Sequence, residues 1–341
     1  MTFPCRRLLI VTPEFHGYWR SIERAFGELG YDVVTHRYDA APPREKLYNK
    51  LRHELPAQIS GSGRHLSDHT VTERALRALS ESRADLLLVV RGDPLQERFW
   101  QRAAALSIPI VVWLYDELRR MRHNPSLLAQ VARIATYSAG DVQTLGAQGI
   151  AALHVPLAFD PSVEVAGRAA SGEVTFIGAR FPKRERYLRH LVTHGIPVRA
   201  HGRDWSDHPA DRARTWRSSA VGVPNGRDVP LTDGYSVMRA GLATLNIHGD
   251  QDGFTMRTFE ACGVGAVQLI DRADVSDFYS PGEEILVFDS EAELLELCRR
   301  VVQDRSGLTR LREAAHQRTV AQHTFKHRAQ ALQELWIDGA Q

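Results

Sequence analysis

Short apolar runs recur along this chain, and nearly every one is followed by a stretch of helical periodicity. That alternation builds parallel sheets from βαβ units and excludes most all-helical and all-β arrangements. In the first half the runs fall at Arg7–Pro13, Asp32–Arg37, Leu86–Arg91, Ile108–Tyr115, Arg133–Ser138 and Ala151–Val155. Their Val, Ile and Leu content is nearly continuous, as expected of strands covered on both faces. Helices are predicted at about Trp19–Leu29, Val71–Ser82, Pro94–Ala105 and Gly140–Gln148. The segment Ala40–His69, with three prolines and a Gly-Ser-Gly stretch, reads as one helix and a loop.

The pattern breaks after Pro156 and restarts at Val174–Gly178, Val198–His201, Ala220–Val223, Ala243–Ile247, Ala266–Ile270 and Ile285–Phe288. A chain of 341 residues suits two domains better than one. The expected division is a first domain over 1–158, a small-residue linker over 159–172, a second domain over 173–324 and a terminal helix over 325–341. That helix, with Ala329, Leu332, Leu335 and Trp336 on one side, should pack back on the first domain. The fold class expected is α/β, two Rossmann-like doubly wound domains facing a central cleft. Two turns have readable chemistry. Asp93 before Pro94 predicts an N-cap, and Ser290 with Glu293 predicts a capping box.

Composition narrows the function classes. Apolar residues are 43% and charged residues 25%, ordinary for a globular chain, and the net charge of +2 gives no basic footprint for nucleic acid. Cys5, Cys262 and Cys298 lie far apart, without metal-ligand spacing, so a reducing compartment is expected. The start of the chain lacks a signal-peptide core and no long apolar stretch could span a membrane, so a cytoplasmic location is expected.

The stretch from Asn246 to Gly263 carries the chemistry. It leaves a strand, crosses a loop through Gly253 and Phe254, and opens a helix around Thr255. An anion there meets free backbone N–H groups and the positive end of the helix dipole. Arg257 in the first turn can add a bidentate phosphate contact, and Glu260 can accept from two ribose hydroxyls. Asp252 and Glu260 form a D-x7-E, one acid on the loop and one on the helix. Asp250-Gln251-Asp252 also matches a metal-binding D-x-D, but it lies in the second domain, and no metal or cofactor is expected. His201 to Trp205, including Gly202, Arg203 and Trp205, follows the next strand and is a candidate base pocket. In the first domain His16 follows the first strand and should face the cleft.

These stretches resemble the CgeB-like, spore-maturation-protein branch of the GT-B glycosyltransferases. The resemblance is carried by Arg257-Thr258-Phe259-Glu260-Ala261, by Gly265 to Asp271, and by Phe278 to Glu284. Thr175-Phe176-Ile177-Gly178, His201 to Trp205 and Val112 to Glu117 add to it. In retaining relatives an E-x7-E pattern brackets the donor, and the resemblance implies that Asp252 contacts the transferred sugar while Glu260 holds the ribose. It also implies diphosphate contacts from Arg180 and Lys183, and an acidic role for Asp116, with Tyr115 where many relatives carry His. The implied activity is glycosyl transfer from a nucleotide-diphosphate sugar, with retention and without metal, to an acceptor that is a small molecule, a peptide or another class. An epimerase or hydrolase of the same fold, or a non-catalytic nucleotide-sugar sensor, are the alternatives.

Overall fold

A computed structural model describes residues 6–40, 64–216, 219–303 and 307–337. The chain divides into two compact units, 1–157 with 325–341, and 158–324. Most of the Ala40–His69 expectation lies outside the described residues.

In the first unit β1 (Arg7–Thr12), β2 (Asp32–Arg37), β3 (Leu86–Val90), β4 (Ile110–Leu114), β5 (Arg133–Thr136) and β6 (Ala152–His154) form one sheet in the order β2-β1-β3-β4-β5-β6. All of its pairings are parallel. The helices between them are α1 (Tyr18–Glu28), α2 (Arg64–Ser82), α3 (Glu97–Ala105), α4 (Pro125–Val131) and α5 (Ala139–Ala147). The five residues of β3 and the five of β4 are buried throughout, which is why those runs read as unbroken apolar sequence.

The second unit repeats the plan. Here β7 (Val174–Ile177), β8 (Val198–His201), β9 (Asn225–Gly226), β10 (Ala243–Asn246), β11 (Gln268–Ile270) and β12 (Leu286–Val287) run in the order β12-β11-β10-β7-β8-β9. The helices are α6 (Pro182–Thr193), α7 (Pro209–Arg214), α8 (Leu231–Ala240), α9 (Met256–Gly263), α10 (Glu291–Gln303) and α11 (Gly307–Gln322). The last helix, α12 (Phe325–Ile337), belongs to the first unit. Phe325 stacks on Tyr18 of α1 at 6.3 Å, and Trp336 meets Phe26 edge-on.

Each sheet reverses its strand order once, between β1 and β3 in the first unit and between β7 and β10 in the second. Doubly wound sheets bind ligands outside the carboxyl ends of the strands at that reversal.

Three expectations are corrected. Asp93 does not cap a helix: α3 begins at Glu97, and the Asp93 carboxylate accepts from Arg91 Nε at 2.9 Å. Ala220–Val223 is not a strand. Gly222 at φ +72° bends the run and Pro224 has no N–H, so pairing with β8 waits for Asn225, although Val221 and Val223 still enter the core. The stretch expected as a linker starts inside the second unit: Phe159 N–H donates to His323 O at 2.9 Å, and Ser171 N–H donates to Ala240 O at 2.7 Å. The Ser290–Glu293 box forms in part: Glu293 N–H donates to Ser290 Oγ at 3.2 Å, while Glu293 Oε2 accepts from the N–H of Asp289, one residue before the cap, at 2.9 Å.

Candidate functional site

At the reversal point of the second unit, β10 ends at Asn246 and the chain crosses to Thr255 before α9 opens. A buried amide network fixes this turn. Asn246 Nδ2 donates to Thr258 Oγ1 and Gln268 Oε1, and Gln268 Nε2 donates to Thr258 O. Three polar side chains thereby satisfy one another where a bare Asn or Gln would be costly. Thr255 sits in extended conformation before α9 and its side chain makes no capping bond. The first-turn N–H groups therefore point out of the helix end with the dipole behind them.

Arg257 and Glu260 face each other on this helix. Their Nη1 and Oε2 are 2.9 Å apart, Arg257 is partly exposed and Glu260 has no exposure. Asp252 is exposed on the loop, whose backbone is held by Arg272, with Nη1 donating to Gln251 O at 3.1 Å and to Asp252 O. The Arg272 guanidinium also lies 4.1 Å above the Phe254 ring, and Gly253 and Phe254 are the buried residues of this loop.

The cations assigned to the diphosphate have partners inside this unit. Arg180 forks onto Glu185 at 2.8 and 2.9 Å, and Lys183 Nζ is 2.7 Å from Asp271 Oδ2. Arg184 ties the two sides of the reversal point together, donating to Ile247 O at 2.7 Å and Ala179 O at 3.0 Å. Trp205 does not line a pocket. It is fully buried in the core, edge-on to Phe176, and its Nε1–H donates to Gly178 O at 2.9 Å. Gly202 is the close-approach residue of that turn, since a Cβ there would stand 2.6 Å from Gly178 O. Arg203 is exposed. Sequence reasoning passed over His248 and Asp271 as chemistry, though both stand just beyond the ends of β10 and β11, where a doubly wound sheet puts its functional polar groups.

The first unit has a matching feature. His16 and Gly17 follow β1 with φ of +49° and +85°, and Arg91 and Gly92 follow β3 with φ of +62° and +77°. Non-glycine residues held left-handed cost about 1–3 kcal/mol each and gather at functional sites. These two border the strand reversal. Arg91 also lies 3.8 Å from Asp116, which follows β4. Burial, with Glu117 beside it, pushes the Asp116 carboxyl above the usual carboxylate range. Glu117 is buried, accepts from Tyr137 OH at 2.6 Å and pairs with Arg120 Nε at 2.9 Å.

Residues 183–334 match the glycosyl transferase-like family. No curated protein sequence matches the chain. Among solved structures, HepE from Anabaena in complex with UDP-glucose superposes with a TM-score of 0.63 at 12% identity, covering 96% of this chain and 98% of that one. Sucrose-phosphate synthase from Thermosynechococcus elongatus gives 0.62 at 12% identity, over 98% and 100% of the two chains. A protein described as a UDP-N-acetylglucosamine 2-epimerase from Listeria monocytogenes gives 0.59 at 10% identity, over 97% and 95%. The fold is that of the GT-B glycosyltransferases. The family match spans α6 through most of α12 and so takes in the β10–α9 turn with Arg257 and Glu260. Among the described residues no group of three or more His, Cys, Asp or Glu is disposed to hold a metal ion, and no helix is long and apolar enough to cross a membrane.

Proposed function

We propose that this chain transfers a glycosyl group from a nucleotide-diphosphate sugar, bound at the β10–α9 turn of the second unit. The observation that carries the reading is the pairing of an uncapped helix end with Arg257 and the buried Glu260, at the strand reversal of a GT-B unit. The backbone N–H groups and Arg257 offset the diphosphate as it leaves. Glu260 accepts from the ribose, and Asp252 faces the anomeric carbon as it gains positive charge. Preorganised dipoles and guanidinium groups do this without a metal ion. Arg180 and Lys183, already oriented by Glu185 and Asp271, are the next cations in reach. Asp116, whose carboxyl is raised by burial, and His16 on its strained turn are the first-unit groups assigned to the acceptor.

We further assign the chain to the CgeB-like branch and a retaining outcome, in which a donor phosphate oxygen helps to deprotonate the acceptor. Buried, unbridged Cys262 and Cys298 support a reducing compartment for this activity. The epimerase among the structural neighbours keeps a second reading open to test, because the fold is shared. A melting-curve panel with UDP-, GDP-, ADP- and dTDP-sugars tests donor binding, since a ligand of the folded state raises Tm by mass action. Activity is expected to survive excess EDTA. A raised Tm followed by release of an epimerised free sugar would replace transfer with epimerisation, and no shift with any nucleotide-sugar would remove the donor assignment.

A further inference from the structure

Lys183, Asp271 and His248 form a file across the strand reversal of the second unit, with the Asp271 and His248 side chains buried and Lys183 half-exposed at its end. Lys183 stands in the helix after β7, His248 follows β10 and Asp271 follows β11. One Asp271 oxygen takes Lys183 Nζ at 2.7 Å, and the other takes His248 Nδ1 at 3.0 Å. The His248 backbone N–H donates to the same carboxylate at 2.9 Å. Burial alone would raise the Asp271 carboxyl, but the bonds from His248 and Lys183 outweigh it and hold it below the usual range. An ionised carboxylate only accepts, so the imidazole hydrogen sits on Nδ1 and Nε2 carries a lone pair. That Nε2 is completely buried and has no hydrogen-bond partner among the described residues.

This bare acceptor stands at the strand reversal, where a doubly wound sheet binds its ligand. A phosphate oxygen, which has no hydrogen to give, cannot satisfy it. Burial lowers the His248 pKa, so the ring stays neutral and does not become a phosphate donor at neutral pH. What fits the lone pair is an O–H or N–H donor, and the groups that a sugar offers are hydroxyls. The Phe254 ring, on the loop 249–254, packs against the imidazole, nearly perpendicular to it with the ring centres 5.6 Å apart. This loop is neither strand nor helix, and it is held by Arg272 on its carbonyls and on the Phe254 face. Glu260, assigned above to the ribose, lies in the second turn of α9. His248 stands at the root of the loop that carries Asp252.

We infer that His248 Nε2 accepts a hydrogen bond from a hydroxyl of the transferred sugar when loop 249–254 shifts, so that His248 reads the sugar rather than the nucleotide. This rests on the donor assignment above. Lys183 and Asp271 act as positioning residues, fixing the tautomer and the ring.

The test is calorimetry on the full chain with four pairs: UDP-glucose and UDP, GDP-mannose and GDP, ADP-glucose and ADP, dTDP-glucose and dTDP. His248→Asn keeps a donor for Asp271 and removes the Nε2 position. For whichever pair binds the wild-type chain, this variant is expected to weaken the nucleotide-sugar about tenfold while leaving the nucleotide within about twofold, the scale of one lost hydrogen bond. His248→Gln, which carries a carbonyl oxygen near the Nε2 position, is expected to recover much of the loss. Melting curves establish that each variant is folded. A folded His248→Asn chain whose two affinities fall together, or in which neither falls, overturns the assignment while leaving donor binding intact. Failure of the wild-type chain to bind any of the pairs overturns the donor reading and this inference with it.

Discussion

Glu260 is fully buried although it lies on an eight-residue helix that begins at a loop, and Arg257 is its ion-pair partner at 2.9 Å. Tyr235 stands close enough that its hydroxyl is pushed well above the ordinary range, by burial first and by the Glu260 charge second. Removing one member of a buried pair strands the other, at about 3–5 kcal/mol. Arg257→Ala should cost somewhat less, about 2–3 kcal/mol, if the cavity beside the partly solvated arginine admits water to Glu260. Glu260→Gln keeps the shape and loses the charge, and we expect nucleotide affinity to fall about ten- to a hundredfold, mainly as a raised donor KM. Asp252 is exposed on the loop, and Asp252→Ala should lower kcat more than it changes KM, because the sugar becomes cationic only as the bond breaks. Steady-state kinetics on folded protein decides both. Equal effects of the two substitutions on KM alone would remove the division of labour between the acids. The spacing in the sequence singled out Asp252, Arg257 and Glu260 as candidates. It could not show that Glu260 is buried, since that depends on Tyr235 and α8, distant in sequence. Nor could it show that Trp205 spends its N–H on Gly178, or that His248 and Asp271, 23 residues apart, meet.

At the scale of elements, β3, β4 and α1 follow directly from apolar runs and helical spacing, to within a residue or two. The failures have local causes: Gly222 and Pro224 end a valine-rich run before it can pair, and Arg91 takes the carboxylate that Asp93 would have offered a helix. Phe159 was hidden among small residues that read as a linker. Its ring fills the space beside Gly263, the last residue of α9, where a Cβ would stand 2.3 Å from Phe159 Cγ. The ring cannot easily retreat, because Phe159 bridges to Thr324 and lies 5.5 Å from Tyr235. Gly263→Ala should therefore destabilise the second unit by about 1–3 kcal/mol through overpacking. In a Phe159→Ala background the same change should cost much less, since the two side chains compete for one space. Denaturant melts of the two single variants and the double variant test this, and strictly additive effects would show that the contact does not decide the helix position.

At the scale of the whole molecule, the repeat of apolar run and helix was enough for two doubly wound units, but it could not locate the titrating groups inside them. Four histidines, His36 and His123 in the first unit and His201 and His248 in the second, are held below the ordinary value of about 6.5, in each case chiefly by burial. In the unfolded chain each takes up a proton near that value, while in the folded chain each resists it. The unfolded state thus binds more protons as the pH falls, so stability is complete above about pH 7 and declines through 6.5 toward the lowered folded values. The carboxylates act lower down. Asp211, held by Arg227 and Ser206 at about 2, contributes stability above the ordinary carboxylate range and loses it as the pH falls toward 2. Both units carry two of the histidines, so calorimetric scans from pH 8 to pH 5 should show every unfolding transition moving to lower temperature before carboxylate titration begins. His36→Gln should flatten the slope of the first unit alone, and His201→Gln that of the second. A Tm constant from pH 8 to pH 5 in the wild-type chain would mean that these imidazoles are open to protonation in the folded state, and that the His248 ring is not held neutral.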